Sequence, residues 1–198
     1  MVLHASWTHG NSVLVERWRV PEAANDRGAA AGPLGDTEGT THVDAEVSFA
    51  CVRLGWATRF VVFDREGRHN PGSGDLWCHV AVPTPVVIAG NRVQADTVMV
   101  NWESSKRSSL FVAAVHVWDG NKRIFVDGKP FLGDSAGGIT ARSKDPNVIP
   151  NLNLLYRGNL RRRLIYFGVS VSLRIRARET VDEYLEIRSV GIDFELPG

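Results

Sequence analysis

Cysteine is scarce in this chain: Cys51 and Cys78 are the only two among 198 residues, and both stand inside apolar, strand-like runs. A framework of disulfides is therefore not expected, and each thiol reads as a small core side chain. An excess of charge is missing too, since 23 basic residues against 22 acidic ones leave a net charge of +1. No global field draws in nucleic acid or an anionic membrane, so any binding of a polyanion has to be local. Long hydrophobic runs are also absent. Nowhere do enough apolar residues stand together for a transmembrane helix, and the opening MVLHASWTHG lacks the basic-then-apolar order of a secretory leader. The expectation from these absences is a cytoplasmic protein with no membrane partner and no nucleic acid partner.

A helical stripe is absent as well, and in its place is a two-residue rhythm. VDAEVSFACV (43–52) puts Val43, Ala45, Val47, Phe49 and Cys51 on one face and Asp44, Glu46 and Ser48 on the other, as a half-buried strand requires. Looser alternation falls at 12–20, 57–63, 76–82, 92–102, 109–118 and 122–127. With two C-terminal strands, about nine in all, this predicts an all-β fold: a jelly-roll-like sandwich of two antiparallel sheets in a single domain, 1–198. In the C-terminal pair, Ile165 to Ile175 alternate strictly. Leu185 and Ile187 then keep one parity while Val190, Ile192 and Phe194 take the other. That slip of one residue predicts a β-bulge near Ser189 to Gly191. Pairing of the two strands as neighbours would set Arg174 or Arg176 across from Tyr184 or Glu186. The Gly-rich segment 21–42 reads as a mobile surface loop. Residues 133–162 read as a long connection that is functional, mobile, or holds a short helix such as NLNLLYR ending at Gly158. PTP at 83–85 removes two backbone donors and belongs at a sheet edge or corner.

The candidate sites are local. In AVHVWDGNKRIF (114–125), Asp119-Gly120 between two alternating runs is a hairpin signal, with Gly120 free to take a positive φ and Asp119 able to bond its own backbone. The same stretch offers Trp118, Asp119 and Asn121 as contacts for a saccharide. YRGNLRRR (156–163) and the outward Arg174, Arg176 and Arg178 offer guanidinium forks for carboxylate, sulfate or phosphate. The alternative for these arginines is ion pairing with Glu183, Glu186 and Glu195. His79 and His116 lie in strands where they could face each other, but no third ligand stands at a metal-site spacing, so neither a metal nor a cofactor is expected. The tryptophans Trp18, Trp77, Trp102 and Trp118 read as core or interface rings. GDSAGG (133–138) resembles the segment around the nucleophile of chymotrypsin-like serine proteases. That resemblance would make Ser135 the nucleophile, His116 the base and Asp127 the orienting acid. It fails on architecture, because too little chain separates His116 from Ser135 for the two barrels of that family.

SWTHGNSVLVE, WCHVAVPTPVVIAG, VHVWDGNKRI, YFGVSVSLRI and VGIDFE together resemble a family of mainly bacterial β-proteins of about this chain's length and without assigned activity. The resemblance implies a single β-domain; its anchors are turn and core residues, and it implies no reaction or cofactor. The functional expectation is a non-catalytic recognition module. It would bind a saccharide or acidic polymer through Trp118, Asp119, Asn121, Arg161 and Arg163. The alternatives are a self-assembling homo-oligomer paired through sheet edges and, more remotely, a serine hydrolase using Ser135 and His116.

Overall fold

The computed structural model of the chain describes residues 3–15, 37–41, 48–63, 74–128, 138–140, 154–178, 180 and 182–196. Among them are fifteen strands and one 3-10 turn, Gly10–Ser12. The larger sheet is ordered β12 (Gly138–Thr140), β13 (Leu154–Leu164), β9 (Gln94–Ser104), β15 (Tyr184–Glu195), β5 (Thr58–Phe63), β4 (Ser48–Arg53) and β3 (Thr37–Thr41). β1 (Leu3–His9) lies along the part of β15 that β5 leaves open. The smaller sheet is ordered β11 (Lys122–Asp127), β10 (Leu110–Asp119), β14 (Val169–Ala177), β6 (Gly74–Val82) and β2 (Leu14–Val15). β7 (Val87–Ile88) and β8 (Asn91–Arg92) form a separate short ribbon.

Period-two burial makes these sheets into two layers. Along β6, Leu76, Cys78, Val80 and Val82 are buried while Asp75, Trp77, His79 and Ala81 face outward. Phe60, Trp102, Leu185, Ile192 and Phe194 of the larger sheet join Leu76, Val117, Leu173 and Ile175 of the smaller one in a single hydrophobic cluster. The chain is thus an all-β antiparallel sandwich with its core between the layers. Cys51 and Cys78 are both buried and free, and burial pushes the Cys78 thiol's pKa up. No helix among the described residues is long and apolar enough to cross a membrane.

The parity switch in β15 is a bulge at Arg188. Ile187 pairs with Trp102 and Ser189 with Asn101, so Arg188 is the extra residue, and Val190 and Ile192 then meet Val100 and Val98 inside. Gly191, beyond the bulge, is a packing position. A Cβ there would lie 2.5 Å from the Trp7 indole, so the glycine admits the ring of β1.

Several expectations are corrected. β14 and β15 are not neighbours: β14 pairs with β10 and β6 in one sheet, β15 with β9, β5 and β1 in the other. The inward face of each fills the same core from opposite sides, which alternation alone does not distinguish from a hairpin. Arg174 and Arg176 accordingly reach Asp75 on β6, at 3.7 and 2.6 Å. The helix proposed at NLNLLYR is strand from Leu154 onward, because β9 offers a full partner ladder with Gly158 opposite Val98. The long connection therefore ends at Leu154 and contains β12; its residues 133–137 and 141–153 lie outside the described residues. The loop at 21–42 yields β3 at Thr37–Thr41, and its remainder is likewise outside. So are Trp18 and residues 43–47. Trp102 is in the core, but Trp77 and Trp118 stand half-buried on the outer face of the smaller sheet.

β1 was not visible as a strand because its inward positions are polar. Ser6 and Thr8 donate to the backbone oxygens of Pro83 and Ala81, at 2.5 and 2.8 Å. These hydroxyls join the two layers where PTP leaves β6.

Candidate cationic groove

The Asp119-Gly120 hairpin forms as its turn chemistry requires. Asp119 pairs with Lys122 across Gly120 and Asn121, and Gly120 takes φ +58°. Asp119 does not bond its own turn. Its carboxylate, 3% exposed, accepts the backbone N–H groups of Tyr166 (2.9 Å), Phe167 (2.8 Å) and Gly168 (3.1 Å). Gly120 N–H donates to the Gly168 carbonyl at 3.0 Å. The turn after β10 thus clasps the link between β13 and β14, and Asp119 is a structural acceptor.

On the other side of the groove, β13 carries a wide bulge. Asn159 pairs with Thr97 and Arg163 with Ala95, so Leu160, Arg161 and Arg162 stand against Asp96 alone. Arg161 and Arg162 both take positive φ, +56° and +52°, which costs side-chain-bearing residues about 1–2 kcal/mol each. Three contacts hold the strained pair. Leu160 is buried as a plug, Arg161 N–H donates to Asn159 Oδ1 at 2.7 Å, and Arg162 pairs with the buried Glu195 at 3.1 Å. The bulge leaves Arg161 and Arg163 flanking an anchored Arg162.

Between the two elements lies a groove of about 430 Å³. Lys122, Arg123, Arg161, Arg162, Arg163 and Asp119 supply its charged lining, and Gln94, Ile124, Leu164 and Tyr166 complete it. Five cations therefore face one carboxylate, and that carboxylate is already saturated with backbone donors. Among the described residues, no carboxylate pairs with Lys122, Arg161 or Arg163. In a groove of this kind guanidinium forks are set to receive carboxylate, sulfate or phosphate oxygens.

Of the five contact residues expected from sequence, Asp119, Arg161 and Arg163 come together here. Trp118 and Asn121 do not. Asn121 is exposed at the hairpin turn. Trp118 lies on the outer face, its Nε1 donating to Ser172 Oγ at 3.1 Å and its ring faced by the Arg123 guanidinium at 5.7 Å. Sequence reasoning missed Lys122, Arg123 and Tyr166; the KR pair directly after the turn was the available signal for the first two.

On that outer face, Ser172 stands between His116 on β10 and His79 on β6, with its Oγ 2.8 Å from His79 Nδ1. The His116 ring lies 4.8 Å from Trp77 and edge-on to Trp118. Burial, and then the nearby Arg123 and Arg174, lower its pKa. Asp127 is placed away from His116: Val126 is the residue opposite His116, so its neighbour Asp127 points to the other face of the sheet. Ser135 lies outside the described residues. Among the described residues, no group of histidine, cysteine and acidic side chains is arranged to hold a metal ion.

The fold and groove define an antiparallel β-sandwich with a cationic cleft. No family model, curated protein or solved structure matches the chain.

Proposed function

We propose that the protein is a recognition domain, not a catalyst, and that the groove between β11 and β13 receives an acidic polymer, an anionic saccharide chain being the ligand class in view. One observation carries this reading: a strained, anchored bulge places Arg161 and Arg163 beside Lys122 and Arg123, and no acid among the described residues pairs with Lys122, Arg161 or Arg163. Backbone strain of this kind is maintained where the surrounding structure over-determines it, and ligand clamps are among the places where it collects. The repeating acidic groups of a polymer match a row of cations better than a single small anion does.

Self-assembly through sheet edges has less support. The edge strand β11 carries Lys122, Arg123 and Asp127, and the opposite edge, β2, is only two residues long. Charge and shortness both discourage edge-to-edge pairing.

Titration with fluorescent dextran sulfate tests the reading. The expected result is binding that weakens steeply with salt, as counterion release requires. Arg161→Ala and Arg163→Ala should each lose about tenfold in affinity, the equivalent of one charge-assisted hydrogen bond of about 1.4 kcal/mol. Absence of binding at low salt, or affinity indifferent to both substitutions, would overturn it.

A further inference from the structure

We infer that this end of the sandwich docks reversibly on an anionic lipid surface, with Phe167 entering the headgroup region and the groove's cations meeting the headgroups. The inference rests on the groove being an anion site and specifies how its acidic groups are presented: packed in a plane instead of strung along a free chain.

Eight large hydrophobic side chains are exposed among the described residues, and three of them, Leu164, Tyr166 and Phe167, fall within four positions of the β13–β14 link. Phe167 is 77% exposed and Tyr166 51%. Slack chain does not explain this. Ile165 in the middle of the link is fully buried and its N–H donates to the Val93 carbonyl at 3.1 Å. The three N–H groups that follow are held by Asp119. Arg92 approaches the Ile165 and Tyr166 carbonyls at 3.4 Å and lies over the Tyr166 ring at 4.8 Å. Gly120 completes the seat, since a Cβ there would come within 3.1 Å of the Phe167 side chain. The link is therefore built to hold an aromatic ring out in water.

The partner's chemistry follows from what lies beside that ring. Leu164 and Tyr166 line the same groove as Lys122, Arg123, Arg161 and Arg163, so apolar tip and cations share one surface. Phe167 is not part of the groove lining and is 77% exposed. A soluble polyanion lying in the groove would leave that ring in water, whereas a bilayer rewards both halves. Aromatic rings are stabilised at headgroup level, and each cation near an anionic leaflet adds attraction. Stable attachment to a membrane needs two such signals together, and the tip and the groove supply one each.

Sedimentation with vesicles of pure phosphatidylcholine and of equimolar phosphatidylcholine and phosphatidylserine, run beside dextran sulfate titration, separates the possibilities. The wild type is expected on the mixed vesicles and not on the neutral ones, with binding that falls as salt rises. Phe167→Ala should lose about tenfold on vesicles, the order expected for withdrawing one buried aromatic ring, while keeping its affinity for dextran sulfate. Arg163→Ala should weaken both. Far-ultraviolet circular dichroism confirms the fold of each variant, and Phe167→Ser provides a second substitution at the exposed position. Dextran sulfate binding without vesicle binding would overturn the inference and leave the groove reading standing. So would equal binding to neutral vesicles, or a Phe167→Ala variant that sediments like the wild type. Failure to bind either partner would remove both.

Discussion

Asp119 is the residue on which the site's geometry turns. Its buried carboxylate accepts three consecutive backbone N–H groups, so Asp119→Ala would strand donors that have no other partner among the described residues. A loss of about 3 kcal/mol in unfolding free energy is expected, measured by urea denaturation, from removing charged hydrogen bonds at a shielded site. Asp119→Asn keeps the shape and one oxygen and should cost less. Hydrogen exchange at Tyr166, Phe167 and Gly168 should accelerate in both variants, most in Asp119→Ala. The turn itself was legible in the sequence, because Asp-Gly fixes local dihedrals. The role of the carboxylate was not, since its partners lie nearly fifty positions away and backbone donors leave no trace in residue identity.

At the scale of strands, the outer face of the larger sheet is held by a charge ladder. Glu186 on β15 lies directly opposite Glu103 on β9, an arrangement that would repel if bare. Arg59 on β5 donates to Glu186 through Nε at 2.8 Å, and Arg188, the bulged residue of β15, spans both glutamates. Each glutamate is nearly buried, so removing their shared cation leaves two facing carboxylates in a poorly solvated place. Arg188→Ala is expected to destabilise the fold by about 3–5 kcal/mol in chemical denaturation, with a double Glu103→Gln, Glu186→Gln background restoring part of the loss. The bulge that carries Arg188 was legible from the parity switch between Ile187 and Val190. Its ion pairs were not, since strand order decides which charges meet, and alternation is silent about strand order. The same gap hid the bulge of β13: Arg161 and Arg162 carry no glycine or asparagine to announce positive φ.

For the molecule as a whole, the near balance of charge conceals a polar asymmetry. Among the described residues, Glu186 and Asp75 are held in ion pairs on the sheet faces, while no acid pairs with Lys122, Arg161 or Arg163 in the groove. Composition reports a near-zero net charge and is silent about where along the fold the charges gather. A pH dependence follows from the smaller sheet's outer face, where His116 is surrounded by Trp77, Trp118, Arg123 and Arg174. The folded chain holds its pKa below the ordinary 6.5, so the unfolded chain takes up a proton first as pH falls. The stability due to neutral His116 is complete above pH 6.5 and is lost progressively below it, down to the lowered folded value. Thermal unfolding of His116→Gln against wild type across that window should show a shallower fall with acid in the variant.

Within this architecture β15 occupies the middle of the larger sheet, with β9 along one flank and β5 and β1 sharing the other. It is also synthesised after every other described strand. Until it arrives, a nascent chain has three orphaned ladders waiting for the same insertion. Such late, non-local closure makes for slow maturation and for a window in which chaperones and temperature govern yield.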